Sequence, residues 1–228
     1  YRIFLGLTGE EIEKAREYTT RILKERPKYF PTRLLKGELL IAERKFDEAI
    51  EILNQLVKEE PKAPRAHYFL GVAHLGKGEA NMAKPALGKA IEIEPRFIKA
   101  RLLMAEIYLK QRDFNIAQKE TREVLAISPE NYQAKLILGN AYLFQRDVKN
   151  AESMFSSLIE TAPENPTGYF RLGLLQRLTQ EYAPALANFE KALSINPRLM
   201  DVFTNVVLLH VAKEEYDTAL KKCDAQLE

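Results

Sequence analysis

The sequence predicts an all-α fold, a solenoid built from a 34-residue repeat of two helices. Seven alanines stand 34 residues apart: Ala15, Ala49, Ala83, Ala117, Ala151, Ala185 and Ala219. Six prolines keep the same spacing, each following one of the first six alanines: Pro27, Pro61, Pro95, Pro129, Pro163 and Pro197. A strict period of this length is typical of stacked supersecondary units, each of which buries its apolar face only against its neighbours.

The period also sets the expected organisation of the chain, which is one continuous domain. We expect a partial repeat at 1–29, full repeats at 30–63, 64–97, 98–131, 132–165 and 166–199, and a partial repeat at 200–228. Because the chain begins and ends inside a repeat, we expect it to be a fragment of a longer array.

Each repeat is expected to hold two helices, because its apolar residues recur at helical spacing and nowhere alternate as in a strand. Short polar breaks separate the two helices, such as Glu43-Arg44-Lys45 and Gln145-Arg146-Asp147. The periodic proline ends the second helix, because it lacks a backbone donor and disfavours helical backbone in the preceding residue.

Small residues are expected to mark the point where the two helices of a pair approach. They stand twelve residues before the periodic alanines, as Gly37, Gly71, Ala105, Gly139 and Gly173. The repeat at 64–97 departs from the pattern, because Pro85 and Gly88 fall inside its second helix. An interior proline costs about 3 kcal/mol, so we expect this helix to start late or to kink near Lys84.

Composition excludes several classes of protein. The 228 residues carry 34 basic and 32 acidic side chains, a net charge of +2, and so lack the basic patch of a nucleic-acid binder. A single cysteine, Cys223, excludes an internal disulfide framework. No apolar run approaches the roughly 20 residues that span a bilayer, so membrane insertion is not expected.

The repeat resembles the tetratricopeptide repeat, which has Leu-Gly and then Tyr in its first helix and Ala in its second helix before a closing Pro. The fullest match runs from Gly139 and Tyr142 through Ala151 and Phe155 to Pro163. This resemblance covers essentially the whole chain and implies a right-handed superhelix of antiparallel helix pairs, with the first helices lining a concave groove. The leucine-rich first helices are also similar to those of long bacterial arrays in envelope polymer export and protein sorting, so we expect a bacterial protein.

A series of side chains falls on the groove side that the resemblance implies. The predicted partner-binding residues are Leu34, Leu35, Tyr68, Phe69, Leu102, Leu103, Glu106, Leu136, Ile137, Asn140, Phe170 and Arg171. Two interpretations of the apolar members stay open: they pack against the adjacent first helix, or they form an exposed strip for a partner. The polar members would orient a partner rather than supply most of the affinity.

Two recognition modes of the resembled family are not supported. A clamp for acidic C-terminal tails needs lysines, arginines and asparagines on three consecutive first helices, and only Asn140 stands at a clamp position. Where that clamp would need a lysine, the chain has Leu34, Tyr68, Leu102, Leu136 and Phe170. The positions of a peptide-binding asparagine ladder hold Leu35, Phe69, Leu103, Ile137, Arg171 and Asn205.

Catalysis is not expected from these residues. The histidines are His67, His74 and His210, and two of them, His74 and His210, take the place of a buried tyrosine. Two histidines at helical spacing without a third ligand make a weak metal site. No glycine-rich phosphate loop or nucleophile motif stands out, so we expect no enzyme, metal or cofactor.

The sequence therefore predicts a protein-protein interaction scaffold that binds an apolar peptide or amphipathic helix of a partner in its groove, within a multiprotein assembly. The alternative is a structural or self-associating repeat segment of a larger envelope or export-related protein, whose groove its own chain fills. We expect a soluble chain, and its compartment stays open between cytoplasm and periplasm.

Overall fold

The computed structural model describes residues 9–227, and every regular element in that range is a helix. Helix α1 (Gly9–Glu25) precedes six helix pairs. The first helices of the pairs are α2 (Phe30–Ala42), α4 (Pro64–Gly76), α6 (Ile98–Lys110), α8 (Tyr132–Phe144), α10 (Pro166–Leu178) and α12 (Met200–Ala212). The second helices are α3 (Phe46–Glu59), α5 (Ala80–Ile93), α7 (Phe114–Ile127), α9 (Val148–Thr161), α11 (Tyr182–Ile195) and α13 (Tyr216–Leu227). The predicted all-α helical repeat fold is confirmed.

The periodic prolines terminate the second helices as predicted. Helix α3 ends at Glu59, two residues before Pro61, and α7 ends at Ile127, two residues before Pro129. Since neither the proline nor the residue before it extends the helix readily, the break recurs at the same place in every full repeat.

In four of the pairs, a glycine of the first helix faces a large side chain of the second helix. A Cβ atom on Gly139 would lie 2.5 Å from Phe155 Cε1, and one on Gly173 would lie 2.6 Å from Phe189 Cε1. Both phenylalanine side chains are fully buried. The glycines therefore make room for large side chains of the second helix, and a methyl group there would overpack the core.

The second helix that contains Pro85 does not start late. Helix α5 begins at Ala80, 34 residues after the start of α3, and has the same 14-residue length. Pro85 is exposed to solvent, whereas Ala83, Leu87 and Ala90 on the same helix have no exposed surface. The burial of these three side chains holds the register of the helix against the proline, so the expectation of a late start is wrong.

The helices form two compact units, divided between Ile107 and Tyr108 within α6. Our assignment of one continuous domain with the repeat boundaries given above stays a prediction. Within residues 9–227, no helix combines the length and the apolar character needed to cross a membrane.

Candidate functional site

The predicted binding residues lie on the first helices of the pairs and are divided between the two units. We call the set in the first unit the N-terminal face; it comprises Leu34, Leu35, Tyr68, Phe69, Leu102, Leu103 and Glu106. The set in the second unit, the C-terminal face, comprises Leu136, Ile137, Asn140, Phe170 and Arg171.

Burial divides the apolar members of both faces into two groups. The buried group comprises Leu34, Tyr68, Leu102, Leu103 and Ile137. Tyr68 is only 3% exposed and Ile137 only 4%, so these side chains serve the packing between helices. Half-buried side chains form the other group, which comprises Leu35, Phe69, Leu136 and Phe170. A partner can reach the second group without unpacking the core.

An ion pair between the buried carboxylate of Glu38 and the exposed guanidinium of Arg65 marks the N-terminal face. Helices α2 and α4 are in contact, and Arg65 Nη2 on α4 donates to Glu38 Oε1 on α2 at 2.8 Å. Burial raises the pKa of Glu38, although the charges of Arg65 and Lys99 act in the opposite direction. The guanidinium of Arg65 also lies 5.9 Å from the centre of the Phe69 ring, a cation–π distance. On this face the carboxylate of Glu38 therefore balances the charge of Arg65.

Aromatic rings surround the centre of the same face. The Tyr68 ring lies 5.1 Å from that of Phe69 in an edge-on arrangement and 5.1 Å from that of Phe97. Burial raises the pKa of Tyr68 to about 12, and the nearby carboxylates of Glu106 and Glu38 add to the effect. Tyr68 is thus a neutral packing residue at physiological pH rather than an acid or a base.

The C-terminal face combines an apolar surface with polar groups that lack partners. Leu136 packs against the cluster around Phe155, and Phe170 lies 6.0 Å from the Phe189 ring. Among the described residues, Arg171 Nε and Asn140 Oδ1 are buried without a hydrogen-bond partner. Buried polar groups are nearly always paired in folded proteins, so these atoms distinguish the C-terminal face from the N-terminal one.

Sequence reasoning missed one row of polar residues on the first helices. The row repeats every 34 residues as Arg33, His67, Arg101 and Lys135. Arg101 Nε donates to the carbonyl oxygen of Pro95 at 2.8 Å, and Lys135 Nζ donates to Glu130 Oε2 at 2.7 Å. His67, Arg101 and Lys135 thus fasten their helices to the loops before them, whereas Arg33 donates to Gln55 and Glu59 on α3. The 34-residue spacing of these four residues was the sequence signal that could have revealed the row.

Each of the three histidines has a polar partner within six residues of it along the chain. His74 Nδ1 lies 2.8 Å from Glu79 Oε2, and His210 Nδ1 lies 2.7 Å from Glu215 Oε2. Both rings are buried, as their place in the repeat predicted. His67 Nε2 lies 2.9 Å from a backbone carbonyl oxygen. In residues 9–227, no three His, Cys, Asp or Glu side chains are grouped so as to hold a metal ion.

Comparison with protein families gives one consistent description. Models described as tetratricopeptide repeat match residues 9–72, 64–97, 102–166 and 138–198. The matched residues cover most of the chain and both units. A comparison with curated proteins found no match.

Solved structures with a similar fold come from several proteins. The hetero-tetramer Cut9–Hcn1 of the APC/C matches 95% of this chain with a TM-score of 0.74 at 16% identity, and this chain spans 43% of that one. PilF from Pseudomonas aeruginosa matches 87% of this chain and 90% of its own, with a TM-score of 0.73 at 18% identity. YrrB, described as a TPR protein with an unusual peptide-binding site, matches 82% of this chain and 96% of its own, with a TM-score of 0.69 at 16% identity. At these identities the likeness shows the fold.

Proposed function

Because the chain belongs to the tetratricopeptide repeat family, we propose that it is an interaction scaffold whose N-terminal and C-terminal faces bind apolar segments of partner proteins. The segment is an amphipathic helix or an extended peptide, and the scaffold works within a multiprotein assembly. Each face is proposed as a site in its own right.

The observation that carries this proposal is the recurrence of reachable apolar side chains at one region of the first helices. Leu35 and Phe69 stand 34 residues apart on the N-terminal face, and Leu136 and Phe170 stand 34 residues apart on the C-terminal face. All four are half-buried, so each has surface left to bury against a partner. Rigid aromatic and aliphatic anchors of this kind dominate the affinity of protein interfaces.

Two of the similar structures support this kind of function by what their descriptions state. YrrB has a peptide-binding site, and Cut9–Hcn1 is a hetero-tetramer.

Selection of a displayed random peptide library against the purified chain tests the proposal. We expect the wild-type chain to enrich peptides rich in apolar residues. Phe69→Glu should abolish the enrichment of peptides that bind the N-terminal face, and Leu136→Glu that of peptides that bind the C-terminal face. The reason is that the introduced carboxylate must be desolvated when an apolar segment binds. These positions suit the test because they are half-buried, whereas a charge at Leu103 or Ile137 would be buried in the core.

Met82→Glu is the matched control. Met82 lies on the second helix α5 and is 58% exposed, so the same kind of change there should leave peptide selection unchanged. Circular dichroism and thermal unfolding establish that each variant is folded. Loss of peptides with Met82→Glu but not with the two face variants would contradict the proposal.

The same variants address the self-association alternative. If copies of the chain fill each other's faces, light scattering should show a concentration-dependent increase in mass for the wild-type chain. That increase should disappear with Phe69→Glu or Leu136→Glu. A constant monomer mass together with peptide enrichment supports the interaction scaffold.

A further inference from the structure

The last residue of each first helix changes in character along the chain. It is small in α2, α4 and α12, where it is Ala42, Gly76 and Ala212. It is large in the three consecutive first helices α6, α8 and α10, where it is Lys110, Phe144 and Leu178. Phe144 is 61% exposed and Leu178 is 51% exposed, and neither belongs to the N-terminal or the C-terminal face. Large exposed apolar side chains at equivalent places in neighbouring repeats indicate an interaction surface.

The Phe144 ring is supported from one side by the preceding repeat. It stacks on the ring of Phe114, the first residue of α7, with the ring centres 5.7 Å apart and the planes 20° apart. Beside it, Gln145 Nε2 donates to Asn115 Oδ1 at 3.2 Å. These contacts fix the end of α8 against the start of α7, and most of Phe144 stays exposed.

The turns that follow α6, α8 and α10 lie on one edge of the second unit. The two helices of each pair are antiparallel and are joined by three residues, so every turn from a first to a second helix lies on the same edge. We call the residues of these three turns and the adjoining helix ends the turn patch; it comprises 109–115, 143–149 and 177–183.

The turn patch carries cations without partners. They are Lys110, Arg112, Arg146, Lys149 and Arg177, all of which are exposed. Within residues 9–227, none of these five side chains forms an ion pair. Their charges are therefore available to an anionic partner.

The carboxylates of the turn patch do not cancel these charges. They are the N-cap residues of α7, α9 and α11, namely Asp113, Asp147 and Glu181. Asp147 accepts hydrogen bonds from Asn150, and Glu181 accepts one from Thr179 at 2.7 Å, so both are turned toward their own chain. The patch thus keeps an excess of positive charge, which the net charge of +2 for the whole chain does not reveal.

The equivalent turns in the other pairs are different. In the first unit, Lys45 pairs with Glu43 at 2.9 Å and Lys77 pairs with Asp47 at 2.7 Å. The turn after α12 carries Lys213 together with the three carboxylates of Glu214, Glu215 and Asp217. Unpaired cations and large exposed apolar side chains therefore coincide in the turn patch.

Exposed cations beside exposed apolar side chains fit the surface of an anionic lipid bilayer. Lysine and arginine are attracted to anionic headgroups, and apolar side chains between them enter the boundary of the acyl chains. A nucleic acid would use the cations but would leave Phe144 and Leu178 in water. A peptide helix binds in a groove, whereas these two side chains stand at helix ends along an edge. A lipid surface accounts for both kinds of side chain.

We propose that the turn patch binds the surface of an anionic lipid bilayer, with Phe144 and Leu178 entering the headgroup layer and the five cations contacting lipid phosphates. This inference goes beyond the proposed function, because it assigns a second partner to residues outside both faces.

Co-sedimentation of the purified chain with lipid vesicles tests the inference. The vesicles consist of phosphatidylcholine alone, or of phosphatidylcholine and phosphatidylglycerol in equal parts. We expect the chain to bind the mixed vesicles, to leave them as the salt concentration rises, and not to bind the neutral vesicles.

Two double variants separate the turn patch from a general charge effect. Arg146→Gln combined with Lys149→Gln should weaken binding to the mixed vesicles by about 25-fold, since each cation near an anionic surface contributes about fivefold. Arg198→Gln combined with Lys119→Gln removes the same charges from exposed positions outside the patch and should change the affinity by less than about twofold. Circular dichroism shows whether both variants keep their helices.

Phe144→Trp reports on the apolar part of the patch, because the chain has no tryptophan of its own. Its fluorescence emission should shift to shorter wavelength when the mixed vesicles are added, as the indole ring leaves water. Met82→Trp is the matched control: Met82 lies on α5 and is similarly exposed, so its emission should not shift.

Equal binding to the two kinds of vesicle, an unchanged emission of Phe144→Trp, or equal loss in the two double variants would each overturn the inference. Binding to a DNA duplex or to polyglutamate as tight as to the mixed vesicles would also overturn it, since the cations alone would then account for the affinity. None of these results affects the library selection that tests apolar binding at the two faces.

Discussion

One residue in each helix pair turns the chain from the first helix into the second through left-handed backbone. These residues are Arg44, Gly78, Arg112, Arg146, Gln180 and Glu214, with φ between 60° and 82°. At Arg146 the N–H donates to Leu143 O at 3.0 Å, and the next N–H, of Asp147, donates to Tyr142 O at 2.9 Å. This pair of hydrogen bonds is the Schellman motif, which favours glycine because a Cβ in this region costs roughly 1–2 kcal/mol.

Arg146→Gly is expected to stabilise the protein, because it removes that steric cost and the Arg146 side chain is exposed. The free energy of unfolding in urea should rise by about 1 kcal/mol. Gly78→Ala should lower it by a similar amount, since Gly78 has a φ of 82°. A decrease in stability with Arg146→Gly would show that the arginine side chain contributes more than the turn costs.

At the scale of a helix, α5 keeps its register despite an interior proline. Pro85 is the sixth residue of α5, so it removes the hydrogen bond to the carbonyl group of Asn81. Pro184 is the third residue of α11, where the backbone N–H has no partner within the helix in any case. The two prolines should therefore differ strongly in their cost.

Pro85→Ala is expected to raise the free energy of unfolding by roughly 2 kcal/mol, because it restores a backbone hydrogen bond and removes a steric clash. Pro184→Ala, measured in the same urea series, should change it by less than about 0.5 kcal/mol. Equal effects of the two changes would mean that the interior position of Pro85 carries no cost.

The connection between helices α4 and α5 is held by charges. Glu79 precedes α5, and its carboxylate accepts hydrogen bonds from His74 and from Lys77, whose Nζ lies 3.0 Å away. These bonds lower the pKa of Glu79 below its usual value of 4.5. The folded state therefore binds the proton more weakly than the unfolded state, so this contribution to stability is present above that value and is lost as the pH falls through the lowered pKa.

Glu79→Gln tests this pH dependence. The variant should be less stable than the wild-type chain at pH 7, and the difference should shrink as the pH falls below about 4. Urea unfolding midpoints across this range measure it, with Glu94→Gln at an exposed position as the control. A difference that stays constant with pH would rule out the ionised carboxylate as its source.

At the scale of the whole molecule, the repeat period was sufficient to predict the fold. Helices α2, α4 and α6 begin at Phe30, Pro64 and Ile98, 34 residues apart, because the spaced prolines and small residues act locally and in the same way in each repeat. Local rules of this kind can be read along the chain without knowledge of distant contacts.

The candidate site was less predictable, because its properties depend on distant contacts. Residues on a first helix meet either a neighbouring helix or a partner, and helical spacing does not distinguish Leu34, which is buried, from Leu35, which is half-buried. The Arg65–Glu38 pair joins residues 27 positions apart, so its presence, and the lack of a similar pair at Arg171, required the structure.

Amide chemical shifts are the most direct test of whether the first helices carry the binding surface. A peptide from the library selection is titrated into the isotopically labelled chain, and the shift changes are mapped onto the helices. We expect the largest changes around Leu35 and Phe69, or around Leu136 and Phe170. Largest changes on the second helices, for example around the exposed Met82 of α5, would contradict it.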